Sequence, residues 1–220
     1  MKAIIFDMDG LMVNSEPYWR QAQLDVLPKY GVTITLEDCI ATTGVRIDNI
    51  VEIYYKKFPW QGPTQDEVCL EICNRVIALI KQHKPEMPGL KSLLKQLKTR
   101  NVKLAVASSS PMNLIVATIQ ALELEQTFDE VLSAQDLAYG KPHPEVYLNT
   151  ANALGVCPTE CLAFEDSLTG LLAAKAARMK TIVVPEKGLI ELPQWSIADK
   201  AFSSLEEVTV PIIESILLQE

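Results

Sequence analysis

Short apolar runs alternate with helix-like segments through most of this chain. That rhythm restricts it to an α/β fold built on a parallel, right-handed, doubly wound sheet. Strand-like runs fall at residues 3–6, 103–107, 130–132, 162–164 and 181–184. Helix-like segments at 91–99, 112–122, 145–154 and 168–177 separate most of them. Pro111 and Pro144 suit helix starts, and Gly31 and Gly155 suit helix stops.

One interval breaks the rhythm. From about Asn14 to Pro85 no convincing buried strand occurs. Residues 17–30, 47–58 and 64–84 read as helices instead, split by Gly31 and by Pro59-Trp60-Gln61-Gly62-Pro63. In the last of them Val68, Ile72, Val76, Leu79 and Ile80 recur at helical spacing. We therefore expect a Rossmann-like core of residues 1–13 and 86–220, with a helical cap of residues 14–85 inserted after the first strand. Pro85-Glu86-Met87-Pro88-Gly89 suits a hinge where the chain returns.

The polar residues are placed where such a sheet binds ligands. The first strand runs directly into Asp7-Met8-Asp9-Gly10. Side chains two apart on an extended chain share a face, and Gly10 permits a sharp turn. Two adjacent acids repel, and a divalent cation is the usual compensation. One carboxylate attacking a phosphate, a second moving a proton and a metal binding the anions is one reading. An acidic turn after a strand is the other. Further apolar runs end in Ser108-Ser109-Ser110-Pro111 and in Glu165-Asp166-Ser167, and Lys141 lies in the turn Tyr139-Gly140-Lys141-Pro142-His143-Pro144. Strand C-termini line one edge of an open parallel sheet, so Asp7, Asp9, Ser108, Lys141, Glu165 and Asp166 are expected to converge.

With these four motifs in order, the chain resembles the haloacid dehalogenase superfamily, whose members are mostly phosphotransferases. The stretches 14–19, 43–48, 110–111 and 175–179 extend the resemblance to its sugar-phosphatase branch. The resemblance implies Asp7 as nucleophile, forming an aspartyl-phosphate, and Asp9 as general acid and base. It implies Ser108 and Lys141 as phosphoryl ligands. It implies Mg2+ held by Asp7, Asp166, Glu165 directly or at one remove, and the Asp9 backbone carbonyl. Hard oxygen donors favour that metal. The substrates implied are small sugar or polyol phosphates, such as 2-deoxyglucose 6-phosphate or hexitol phosphates.

Each residue also has a structural reading. Ser110 fits a helix cap before Pro111 better than Ser108 does, and Asp166 or Ser167 can cap the helix that follows. Substrate-binding candidates are Glu16, Trp19, Arg46, Asn49 and Ser109. Against these stand a helix-dipole acid at Glu16, a core aromatic at Trp19 and a solvated arginine at Arg46. His143 is read as stabilising its turn, and His83 carries no signal. The family usually has aspartate at the position of Asn14, so the loop after the nucleophile is expected to behave differently here.

Net charge bounds the partners. With 28 Asp and Glu against 20 Lys and Arg the chain carries −8, which argues against nucleic acid or an anionic membrane. An anionic small metabolite must then be captured by a local positive site, and no protein partner is indicated. The five cysteines show no zinc-ligand spacing and read as reduced thiols of a cytoplasmic protein. Asp7 interrupts the N-terminal apolar run, which does not read as a signal peptide. A mutase of the β-phosphoglucomutase type shares the core motifs. That type places histidine where this chain has Trp19, and tryptophan cannot relay a proton. A dehalogenase is disfavoured by the second acid, Asp9. A catalytically idle sugar-phosphate-binding regulator is the remaining alternative.

Overall fold

The computed structural model describes residues 2–43 and 45–217. Gly44, within the stretch 43–48 that extends the family resemblance, lies outside them. Six parallel strands form one sheet: β1 (Ala3–Phe6), β2 (Lys103–Ser108), β3 (Glu130–Ser133), β4 (Cys161–Glu165), β5 (Lys180–Val183) and β6 (Lys200–Ala201), in the order β3-β2-β1-β4-β5-β6. The chain winds outward from β1 to β3, then returns to the other side of β1 as β4. The switch in direction lies between β1 and β4, where Phe6 pairs with Phe164 and the Asp7 N–H donates to the Phe164 carbonyl at 2.9 Å.

Alternation along the central strands supplies two faces. Ile4, Phe6, Leu104, Val106, Leu162 and Phe164 enter the larger apolar core. Ala3, Ile5, Ala105, Ala107 and Ala163 face the other way, onto a core that includes Val146, Tyr147 and Ala151 of α7 (Glu145–Ala153) and Ala173 and Ala174 of α8 (Leu168–Ala176). The small alanines let these two helices approach the sheet closely.

Among the described residues, four α-helices lie between β1 and α5 (Leu90–Lys98): α1 (Glu16–Val26), α2 (Leu36–Ala41), α3 (Ile47–Lys57) and α4 (Gln65–His83). Both α1 and α3 pack on α4, and α4 also packs on α6 (Met112–Ala121), which follows β2. Val68, Ile72, Val76 and Ile80 of α4 belong to the same apolar cluster as Phe6 and Val106, so the inserted helices share the core of the sheet. The two chain crossings run antiparallel, bridged at Val13 and Glu86. The Asn14 N–H donates to the Pro85 carbonyl at 2.8 Å, and the Met87 N–H to the Met12 carbonyl at 3.0 Å.

Several boundaries differ from expectation. The first inserted helix stops at Val26 and continues as a 3-10 turn, Leu27–Tyr30, because Pro28 lacks the N–H that an α-helix needs. The short α2 was not anticipated, although Thr35 and Asp38 form the capping box that starts it. Beyond β5, the two-residue β6 and α9 (Val210–Leu217) also extend the pattern. None of the described helices is long and apolar enough to cross a membrane.

Candidate active site

A cavity of about 240 Å³ opens above the C-terminal ends of β1, β2 and β4, with the inserted helices as its roof. Its lining includes Asp7, Asp9, Ser108, Ser109, Lys141 and Asp166 from the sheet side, and Glu16, Trp19 and Arg46 from the roof. Glu165 lies fully buried beneath it. Asn49 is exposed and takes no part in the lining.

Lysine 141 is the electrostatic centre. Its ammonium donates to Asp7 Oδ1 and Glu165 Oε1, each at 2.6 Å, and to the Ala107 carbonyl at 3.0 Å. Burial alone would lower this group, but the Asp7 and Glu165 carboxylates override it and hold Lys141 well above its ordinary value. The Tyr147 hydroxyl also donates to Glu165 Oε1. Tyr147 stands in the first turn of α7, one turn past Pro144, and so carries Glu165 from behind.

Ligand oxygens of Asp7, Glu165 and Asp166 all lie within 4.8 Å of one another. Such crowding disfavours ionisation. Burial, and then Glu165 and Asp9, push Asp7 up to about 8 against the pull of Lys141. Burial, Asp7 and Glu165 likewise push Asp166 well above the carboxylate range. One lysine does not balance three acids, and an oxygen-ligated divalent cation would. The donor set fits Mg2+ on that ground.

Two glycines make this packing possible. Gly10 has φ +74°, and a Cβ there would lie 1.9 Å from Asp166 Oδ2. In α8, a Cβ on Gly170 would lie 2.0 Å from the Glu165 carboxylate carbon and from both of its oxygens. The α8 cap is Ser167, whose hydroxyl accepts from the Gly170 N–H at 3.1 Å, and Asp166 is left to face the cavity.

The Asp9 side chain stands apart from the clustered oxygens of Asp7, Glu165 and Asp166. The turn at Gly10 ends the extended conformation, and four donors occupy the Asp9 carboxylate. Ser15 Oγ at 2.6 Å and Trp19 Nε1 at 3.0 Å donate to Oδ1; Ser110 Oγ at 2.7 Å and, weakly, Ser108 Oγ at 3.5 Å donate to Oδ2. Ser110 is therefore not the side-chain cap of α6; Pro111 occupies the cap position. Ser15 likewise precedes α1 without a capping bond, its hydroxyl being engaged with Asp9.

Arg46 is not a solvated arginine. Its guanidinium makes a paired contact with Asp48 at 2.7 and 2.6 Å, and Nη1 donates to the Leu137 and Ala134 carbonyls at 3.2 and 3.4 Å. It ties the start of α3 to the loop after β3. Glu16 is pushed up to about 7, first by burial and then by Asp9, with Arg20 opposing. His143 is exposed beside Glu145 and outside the cavity lining. Sequence reasoning missed Ser15, Ser110 and Tyr147 as partners of the catalytic candidates. A hydroxyl's target depends on tertiary contacts that no local spacing encodes.

Residues 4–184 match the haloacid dehalogenase-like hydrolase family, and the chain belongs to it. It is thus an enzyme, a hydrolase on a Rossmann-like sheet. Among its relatives, hexitol phosphatase B of Escherichia coli (strain K12) is 41% identical over 94% of both chains. The phosphorylated carbohydrates phosphatase of Thermotoga maritima is 31% identical, covering 83% of this chain and 84% of its own. Among solved structures, β-phosphoglucomutase from Clostridium difficile superposes with a TM-score of 0.86 over 100% of this chain and 98% of its own. Its identity of 23% speaks to the fold alone.

Proposed function

We propose that this enzyme is a cytoplasmic, Mg2+-dependent phosphatase of small sugar or polyol phosphates, acting through an aspartyl-phosphate. The observation that carries the reading is the Lys141 ammonium bridging Asp7 and Glu165 beside Asp166, on the floor of a cavity whose roof mixes polar and apolar side chains. Relatives named for hexitol and carbohydrate phosphates support the substrate class. Five unpaired thiols agree with a reducing compartment.

In this reading Asp7 attacks phosphorus and the ester oxygen departs with a proton from Asp9. Asp9 then takes a proton from the water that attacks the phosphorus of the aspartyl-phosphate, which frees Asp7. Lys141 keeps Asp7 oriented and offsets phosphoryl charge, while Ser108 and Ser109 face the phosphoryl oxygens. Asp7, Asp166 and the Asp9 carbonyl would hold Mg2+, with Glu165 fixing Lys141 from below. The metal supplies positive charge between the carboxylates and the dianionic ester. Residues 14–85 serve as the cap over a core of 1–13 and 86–220. They exclude water and bulky esters such as phosphoproteins.

Trp19 bears on the mutase alternative. Its indole N–H can only donate, and it already donates to Asp9, so it offers no proton relay. The test is turnover of a panel of phosphorylated metabolites with Mg2+, together with acid-quench trapping of a phosphorylated chain. Sugar or polyol phosphates should lead the panel. Asp7→Asn should abolish both turnover and the trapped phosphate. Label retained in Asp7→Asn, or a panel led by nucleotides, would overturn the reading.

A further inference from the structure

Tyr147 is a fully buried tyrosine that the proposed chemistry does not use. Its ring belongs to the second core, the one that includes Ala107, Ala163 and Ala173. Phenylalanine would fill the same space with no polar atom to satisfy, and a buried hydroxyl costs stability unless it is hydrogen-bonded. This hydroxyl is bonded within the charged cluster. It donates to Glu165 Oε1, and the Lys141 ammonium reaches its oxygen at 3.3 Å. The same ammonium lies 4.9 Å from the centre of the Tyr147 ring, a distance at which a cation is attracted to an aromatic face.

A lysine head group carries three hydrogens at the end of a flexible stem, so its place is set by its acceptors. Asp7 Oδ1, Glu165 Oε1 and the Ala107 carbonyl accept from Lys141 at 2.6, 2.6 and 3.0 Å. Asp7 is itself the group to be oriented, and Ala107 offers backbone. Glu165 is therefore the side chain that decides where the ammonium stands. Two helices hold Glu165 in turn. Tyr147 of α7 donates to Oε1, and Ser167, the cap of α8, donates to Oε2 at 3.3 Å. Of these two, Tyr147 is on the oxygen that Lys141 uses. Without its hydroxyl, a fully buried carboxylate oxygen would lack one donor, and a carboxylate that turned to recover it would draw the ammonium off Asp7.

Resting on the phosphatase reading above, we propose that Tyr147 is a positioning residue for the phosphoryl-transfer step. Its hydroxyl pins Glu165 Oε1 toward Lys141, and through that carboxylate it holds the ammonium on the nucleophile Asp7. Neither Tyr147 nor Glu165 belongs to the lining of the cavity, so the effect falls on the reaction and not on substrate binding.

Rapid-quench experiments with an aryl phosphate and Mg2+ measure two quantities, the rate of chain phosphorylation at saturation and the ester concentration that half-saturates it. They are run on wild type, Tyr147→Phe, Glu165→Ala and the double variant, with urea midpoints taken without Mg2+. Tyr147→Phe keeps the ring and removes one hydrogen bond to a charged group, so the saturated rate should fall about tenfold while half-saturation stays within about twofold. On the Glu165→Ala background the same substitution should change the rate by less than about twofold, because the hydroxyl has lost the group it acts through. A hydroxyl with a structural role alone would lower the urea midpoint and leave the rate of the folded variant unmoved, and that result overturns the proposal. Equal losses on both backgrounds overturn it as well. If Glu165→Ala does not fold, Tyr147→Phe decides alone: a lowered rate at unchanged half-saturation supports the proposal, and an unmoved rate refutes it. Wild type that forms no phosphorylated chain would remove the proposed mechanism and this inference with it. A phosphorylated chain formed as fast in Tyr147→Phe as in wild type removes this inference alone.

Discussion

Gly170→Ala sets two well-known effects against each other. Alanine is the better helix former by about 1 kcal/mol, so an exposed helical site would gain stability. Here the new Cβ would stand 2.0 Å from the Glu165 carboxylate carbon and oxygens. Ordinary contact requires the carboxylate to retreat by roughly 1.5 Å. That retreat is opposed by Lys141 at 2.6 Å, by the Tyr147 hydroxyl and by full burial of Glu165. Each charged hydrogen bond so weakened is worth about 1.5–3 kcal/mol, which exceeds the helix gain. The net expectation is a loss of about 2 kcal/mol in stability, in line with overpacking of a tight core. Lys141 would shift with its partner and carry Asp7 along, and a displacement near 1 Å at the reacting groups costs about 10²-fold in rate. Urea denaturation and kcat/KM on an aryl phosphate measure the two effects. A stabilised variant with wild-type turnover would show that Glu165 is not locked against α8 and that its hold on Lys141 is dispensable.

Glu16 gives the pH dependence. Its carboxyl, near 4.5 when unperturbed, is held at about 7 in the fold, so it contributes stability below 4.5 that is lost as pH rises through about 7. Without Mg2+, the stability of Glu16→Gln relative to wild type should therefore rise by about 3 kcal/mol between about pH 4 and pH 8; a constant difference in urea midpoints refutes this. Arg46→Ala removes the tie from α3 to the Leu137 and Ala134 carbonyls. It should lower kcat/KM about tenfold for sugar and aryl phosphates alike; a loss confined to sugar phosphates would make Arg46 a ligand of the sugar. Chelation of divalent metal should abolish turnover and Mg2+ should restore it, because Asp7 and Asp166 are crowded with Glu165 around one lysine; full activity after exhaustive chelation would reject the metal site.

Local patterns were sufficient for much of this protein. The apolar runs became β1 to β5, because a buried parallel strand needs apolar side chains on both faces. The turns after them delivered Asp7, Ser108 and Asp166 to one cavity, because parallel strands end on one edge. The partners of those residues were decided by the tertiary structure. Ser110 reads as a helix-cap residue, yet it donates to Asp9 across 101 positions of chain, where Ser15 donates to the same carboxylate. Arg46 reads as a substrate ligand or a solvated arginine, yet it reaches carbonyls 88 and 91 residues away. The target of the Tyr147 hydroxyl has no signature in the chain, since it depends on every element packed around the ring. Hydrophobic periodicity is a property of neighbours along the chain and can be read there. A hydrogen bond across the fold joins groups whose meeting depends on strand order and helix packing together, and only the assembled molecule selects among the donors available.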